Sequence, residues 1–203
     1  TKLQEPIIEN KTERMLLANH SLQQLNILDD NHYKGKLSSV SNLLNNCITP
    51  MGSRSFKHNI LNPTTCREKI ERKYEITEYL LTTDYWMNWR KELKNMKDIE
   101  KLNRQIYLKK ITPSNLFYLY ENLSTIKNVF SSLIDDETIK SYLQQDIVMT
   151  NKMNIATVCT RLQKVFDSTF ELEQCKGIIT TDFDTNFIKR GINIELDKCI
   201  DLR

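Results

Sequence analysis

The stretch that decides the fold is Thr112-Pro113-Ser114-Asn115-Leu116, continued by Leu119, Leu123, Ile126, Val129 and Phe130. Proline at a first helical position loses only an amide that has no helical partner, and the threonine before it can cap the next free amides. The apolar residues then recur at helical intervals for about four turns, so a long helix is expected through Phe130.

Outward from this helix the same signals repeat. Asp98 opens a helix with Ile99, Leu102 and Ile106 on one face, and Asp84 is expected to cap one carrying Trp86, Trp89 and Leu93. Asp135-Asp136 starts another, and Ile155, Val158, Leu162, Phe166 and Phe170 mark a further one that Val165 widens. Thr64 or Thr65 is read as the cap of a helix with Glu68 and Glu71 near its positive end and Ile70, Tyr74, Ile76, Tyr79, Leu80 and Leu81 as its apolar positions. Closer to the start, Leu17, Ser21, Leu22 and Leu25 suit a short helix, and Asp29-Asp30-Asn31-His32 with Gly35 suit a loop. Leu37, Val40, Leu43 and Leu44 form the buried side of a helix stopped by Asn45-Asn46 and Thr49-Pro50. A second begins at Met51 and carries Phe56, Ile60 and Leu61, making a helical hairpin.

Residues 171–190 break the pattern, and one short strand is expected near 178–190. Asn193 then caps a helix with Leu196 and Ile200, expected to be still running at Arg203, so the chain reads as cut rather than finished. The class is all-α: four glycines and four prolines in 203 residues are too few for the turns of a β-sandwich. The first fourteen residues are polar and aperiodic, an expected linker.

Composition removes several function classes. No apolar run approaches the roughly 20 residues of a membrane span, and Thr1–Asn10 lacks a secretory pattern, so a soluble intracellular chain without membrane partners is expected. Cys47, Cys66, Cys159, Cys175 and Cys199 contain no C-x-x-C pair, giving no disulfide framework or thiolate cage. His20, His32 and His58 form no helical metal pair, so no metal is expected. The glycines are too scattered for a phosphate-cradling loop, and no nucleotide cofactor is expected in this chain. Asp29-Asp30, Asp135-Asp136 and Asp182-x-Asp184 have turn and capping duties, and no catalytic constellation can be named.

One charge asymmetry stands out. Arg90, Lys91, Lys94, Lys97, Lys101, Arg104, Lys109 and Lys110 outnumber Glu92, Asp98 and Glu100. On a continuous helix Lys94, Lys97, Lys101 and Arg104 would stack into a stripe able to follow a phosphate backbone, making a self-contained nucleic-acid-binding module one reading. A helix start at Asp98 would break that stripe, which favours an ordinary solvated face.

Two segments carry a family resemblance: Leu43-Leu44-Asn45-Asn46-Cys47-Ile48-Thr49-Pro50-Met51-Gly52-Ser53-Arg54, and Ile188-Lys189-Arg190-Gly191-Ile192-Asn193-Ile194-Glu195-Leu196-Asp197. Together they resemble the core, or lever, domain of the MutS family of DNA mismatch-repair ATPases. The first looks like that family's leucine-rich helix with its Thr-Pro-Met-Gly-x-Arg turn (Thr49, Pro50, Met51, Gly52, Arg54). The second, with Gly191, Glu195, Leu196 and Asp197, is similar to the segment that feeds the clamp helices. Asp98-Ile99-Glu100-Lys101-Leu102 and Pro113-Ser114-Asn115-Leu116 resemble further family motifs between them.

Departures, such as Asn59 where a tryptophan is usual and Arg104 one position early, mark a divergent branch. The abundance of Ile, Lys and Asn (21, 20 and 19) is the codon footprint of an AT-rich genome and suits an organellar, viral or parasite member.

The resemblance implies a non-catalytic lever: residues 1–14 as linker from a connector domain, 15–190 as the helical core, and 191–203 leading to a clamp. It implies ATP and Mg only in the parent protein, a dimeric parent that is an ATPase, and DNA met through that parent. The connector, clamp and ATPase domains of the same chain would be the direct neighbours. No catalytic, cofactor or metal residue carries over.

Overall fold

The computed structural model describes residues 14, 15, 17–28, 34–146, 155–181 and 185–202. Among these the regular elements are all helices: α1 Asn19–Gln24, α2 Val40–Leu44, α3 Pro50–Leu61, α4 Arg67–Thr83, α5 Tyr85–Leu93, α6 Ile99–Tyr107, α7 Pro113–Ile134, α8 Glu137–Asp146, α9 Ile155–Thr169, α10 Leu172–Cys175 and α11 Ile194–Asp201. The chain divides into two compact units, one ending at Asp84 and the other beginning at Tyr85. The expected loop at Asp29–His32, the Asp182-x-Asp184 pair and most of the expected linker lie outside the described residues.

In the first unit α2 departs from its periodicity. Ser39, extended at φ −156°, accepts a hydrogen bond from Asn42 N and starts the helix at Val40, so Leu37 lies before it. The expected apolar face is exposed, with Leu37 at 81%, while Ser38, Ser39 and Ser41 are buried. Those hydroxyls have local partners: Ser39 and Ser41 bond each other at 3.1 Å, and Asn42 Nδ2 donates to Ser38 Oγ at 2.8 Å. The first α2 amides donate outward, Val40 N to Asn26 O and Ser41 N to Ile27 O, which turns the serine edge inward.

Proline 50 is the first residue of α3, one position before the expected start, and Phe56, Ile60 and Leu61 are half-buried rather than buried. The start of α4 falls later than the threonines predict. Cys66 is its N-cap without a side-chain bond, because Thr64 Oγ1 instead accepts from Cys66 N at 3.3 Å and Thr64 pairs its backbone with Arg14. Only Ile76 of the expected apolar face is buried, and Tyr74 and Leu81 are exposed. Asp84 does not show the predicted N-cap geometry. It ends α4 in the left-handed conformation, φ 56°, which aspartate tolerates better than most residues.

The second unit is built on α7, which packs against α5, α6, α8, α9 and α10. One cluster joins Phe117 to Cys175 and Phe187, and another joins Leu123 to Cys159 and Phe166; Leu116, Phe170 and Leu172 border both. On α9 the buried positions are Cys159 and Phe166. Leu162 and Val165 are exposed, a correction to the expected face, because Gln163 turns toward α7 and donates to Ser124 Oγ at 2.7 Å.

No strand forms near 178–190 among the described residues. Ile188 makes a single antiparallel bridge to Phe170, closed by Glu171 N to Phe187 O at 2.7 Å and Lys189 N to Thr169 O at 2.8 Å, and on its outer side the Asn186 side chain bonds the amide and the carbonyl of Ile188. The segment also holds α10, which the sequence pattern did not reveal. The last helix covers Ile194–Asp201, with Leu202 N still bonded to Lys198 O at 3.2 Å, and Arg203 lies outside the described residues.

Asn122 fastens the loop between α5 and α6 to the spine. Its side chain is 3% exposed, accepts from Lys97 N at 3.1 Å and donates to Lys97 O at 3.0 Å. Asn122→Ala removes both partners and should cost about 2 kcal/mol, lowering Tm by roughly 4–8 °C in thermal unfolding; exposed Asn128→Ala on the same helix should leave Tm nearly unchanged. The thiols give a second check. Burial raises the pKa of Cys159 and Cys175 above the ordinary 9.0, so these groups keep protons that the unfolded chain releases. Their contribution to stability should therefore be full below that value and fall as pH rises past it. Alkylation of the native protein should label exposed Cys47 and Cys199 well before Cys159 and Cys175.

Candidate functional site

The basic segment becomes two elements and a loop. Lys94 follows α5, Lys97 lies in the loop pinned by Asn122, and Lys101 and Arg104 stand on α6. Asp98 caps α6 by accepting from Lys101 N at 3.2 Å, so the helix break expected there is real and no continuous four-residue stripe forms. All four cations are exposed, and Lys97 Nζ sits 4.9 Å from the centre of the Tyr118 ring.

Leu102, 4% exposed, anchors α6 inward, so at about 100° per residue the positions of Lys101, Arg104 and Tyr107 fan across its outer side. A cleft of about 220 Å³ opens beside it, lined by Lys97, Asp98, Lys101, Leu102, Gln105 and Asn115. Its polar wall is held by Asn115 Nδ2 donating to Gln105 Oε1 at 2.9 Å. Gln105, Asn115 and Tyr107 were not legible as site residues, since only packing brings the first two together.

The two motif segments prove to be helix starts. Thr49 Oγ1 accepts from Gly52 N at 3.1 Å, Pro50 occupies the first helical position, Met51 is half-buried, and Arg54 is exposed on α3. A Cβ on Gly52 would lie 3.0 Å from Thr49 Oγ1 and 3.6 Å from Cys47 Cβ, so the glycine lets the cap close. At the other end Gly191 has φ 87°, Asn193 Oδ1 accepts from the amides of Glu195 and Leu196, and Asp197 Oδ2 reaches back to Gly191 N at 2.8 Å. Arg190 bonds Asp201 at 2.9 Å across the same helix. These residues fix the direction in which α11 leaves the unit; none faces a reacting group.

Other candidates have structural duties. Asp136 Oδ1 accepts from Thr138 N and Ile139 N at the start of α8, and Asp135 is exposed beside it. His20 and His58 are exposed, and His32 lies outside the described residues. Among the described residues no three His, Cys, Asp or Glu side chains gather as metal ligands, and no helix is long and apolar enough to cross a membrane.

Gly191 offers a direct check on the second motif. Gly191→Ala places a Cβ on a left-handed residue, at a cost of about 1–2 kcal/mol, and amide exchange should show α11 losing protection while α7 keeps it.

Comparison with known proteins accounts for this arrangement. The chain matches MutS domain III over residues 20–199. It is 30% identical to a mutS homolog of Acanthamoeba polyphaga mimivirus over 202 residues, 97% of this chain and 17% of that protein. It is also 30% identical over 129 residues to the DNA mismatch repair protein MutS of Petrotoga mobilis, covering 63% of this chain and 16% of that protein. With the DNA mismatch repair protein msh-2 of Neurospora crassa it shares 26% over 192 residues, 91% of this chain and 20% of the relative. The chain thus spans a fifth or less of each of these three proteins. The match to domain III across both motif segments and the helices between them shows that the chain belongs to the MutS family.

Proposed function

We propose that this chain is the non-catalytic lever of a MutS-like DNA mismatch-repair protein, relaying the nucleotide state of an ATPase domain to a clamp that closes on DNA. The parent would be a dimeric ATPase using ATP and Mg, with the mismatch-reading, connector and clamp domains on the same chain. On this reading residues 1–14 arrive from the connector, 15–190 make the lever, and 191–203 lead to the clamp.

The observation that carries the reading is the domain III match over residues 20–199. The mechanics of the second unit agree with it. A relay needs elements that move as bodies between discrete arrangements. Here one 22-residue helix gathers five others, the α5–α6 loop is clamped to it by Asn122, and the departure of α11 is fixed by Gly191, Asn193 and Asp197. Such a body transmits a push at one side to the other without absorbing it in local bending.

Two measurements test this. Thermal unfolding of the chain with excess ATP and Mg should give the same Tm as without; a clear rise would mean a nucleotide site within it and contradict the lever reading. In the parent protein, Asn122→Ala should slow ATP-triggered release from DNA while leaving nucleotide affinity unchanged. Wild-type release by that variant would sink the relay.

A further inference from the structure

We infer that α6, with the turn that follows it and the cleft beside it, is an auxiliary contact for the phosphodiester backbone of duplex DNA. This deepens the proposed function, and it rests on the reading that the parent protein works on DNA.

The charge distribution is the first ground. Residues 86–110 carry eight basic and three acidic side chains, a net +5, whereas the whole chain is only +3, so the remainder is net acidic. A local excess of this kind has its main effect on polyanions.

Geometry narrows the ligand. Lys101, Arg104 and Tyr107 occupy successive positions over about 120° of α6 and about 9 Å of its length. That length matches two or three phosphates of one strand, which advance about 3.4 Å each along the duplex. Tyr107 is 86% exposed, leaving its hydroxyl free to reach a phosphate oxygen. Below this row Lys97 and Lys101 border the 220 Å³ cleft whose other polar wall is the Gln105–Asn115 pair, so a phosphate seated there would meet cations and neutral amides. The carboxylate in that cleft, Asp98, is turned to its own capping bond with Lys101 N. Glu100 is the acid on the outer side of α6.

The turn after α6 supplies the third ground. Lys109 has φ 55°, a conformation glycine would adopt without strain. Its amide bonds Ile106 O and that of Lys110 bonds Gln105 O, each at 2.9 Å, the paired closure of a helix end that ordinarily places glycine there. The position thus holds a cation where conformation alone favours glycine, and the two bonds hold Lys109 and Lys110 at the edge of the α6 row.

The test uses this chain and a fluorescently labelled 25-base-pair duplex, read by anisotropy from about 50 to 200 mM salt. Binding should weaken with a log–log slope of roughly −3 to −4, the value for about four phosphate contacts. Lys101→Glu with Arg104→Glu should lose at least about tenfold in affinity at 50 mM salt. Lys57→Glu with Lys73→Glu, equally exposed and equal in charge change but in the first unit, should lose less than about twofold.

Lys109→Gly separates binding from folding: it should raise Tm by relieving the left-handed lysine and still weaken DNA binding. No binding at 50 mM salt overturns the proposal, and so does equal loss in both double variants. Competition by poly-glutamate as effective as by unlabelled duplex also overturns it, identifying an acidic polypeptide as the partner. Any of these three failures with ATP-triggered release intact in the parent would remove this surface and leave the lever reading standing. Because Asn122 also holds the Lys97 loop that borders the cleft, release is read in Gly191→Ala as well, whose residue lies outside the α6 surface.

Discussion

A helix can begin inside a protein only if its first amides find partners, and the second unit depends on how α7 meets that demand. Pro113 has no amide to satisfy. Ser114 N donates to Ile178 O at 2.9 Å, Asn115 N to Thr112 Oγ1 at 3.3 Å, and Leu116 N to Thr112 O at 3.1 Å. With those donors accounted for, Pro113 and Ser114 are buried without the penalty of orphaned polar groups. The Ile178 bond also brings the backbone around Ile178 onto the helix. Cys175, 0% exposed, then fills the space beside Phe117 and Phe187. The sealed helix start and the apolar cluster therefore support one another: each holds in place the backbone that the other needs.

The first unit solves a similar problem with less apolar burial. Leu22 and Ile76 are its buried large apolar residues among those described, and its buried polar residues are three serines grouped at the start of α2. Hydroxyls that bond one another and a neighbouring asparagine can be enclosed at little cost, whereas the same hydroxyls without partners would oppose folding. The leucines that lend α2 its family pattern stay at the surface. Their regular spacing records a helix with an apolar side, and the burial of the opposite side is set by where Val40 N and Ser41 N find acceptors.

Capping chemistry was the most legible part of the sequence. Asp98, Thr112, Asp136 and Asn193 each accept a bond from the helix they precede, as their residue types predict, and Thr49, read as part of a helix stop, caps α3 as well. Thr64, Thr65 and Asp84 look the same in sequence and do otherwise, because Thr64 is engaged with Cys66 N and the strand-like pairing with Arg14, and Asp84 closes the helix behind it. For the site, the cations were legible as a cluster, since charge is a property of residue type. The cleft was not, because Gln105 and Asn115 are ten residues apart and meet only when α6 packs against α7.

By itself the sequence determined the helical class, the family motifs, the start of α7 and the break in the basic stripe at Asp98. These depend on local backbone chemistry: where an amide lacks a partner, where proline can stand, and which positions recur every third or fourth residue. Tertiary structure alone decided which faces are buried. It turned Leu37 and Leu162 outward, buried Cys159 and Cys175, and gave Asn122 its place on the Lys97 backbone. The physical reason is that an amphipathic pattern says only that a face prefers cover. Which face receives it follows from the long-range hydrogen bonds of Val40, Ser114 and Gln163, whose acceptors lie 14, 64 and 39 residues away.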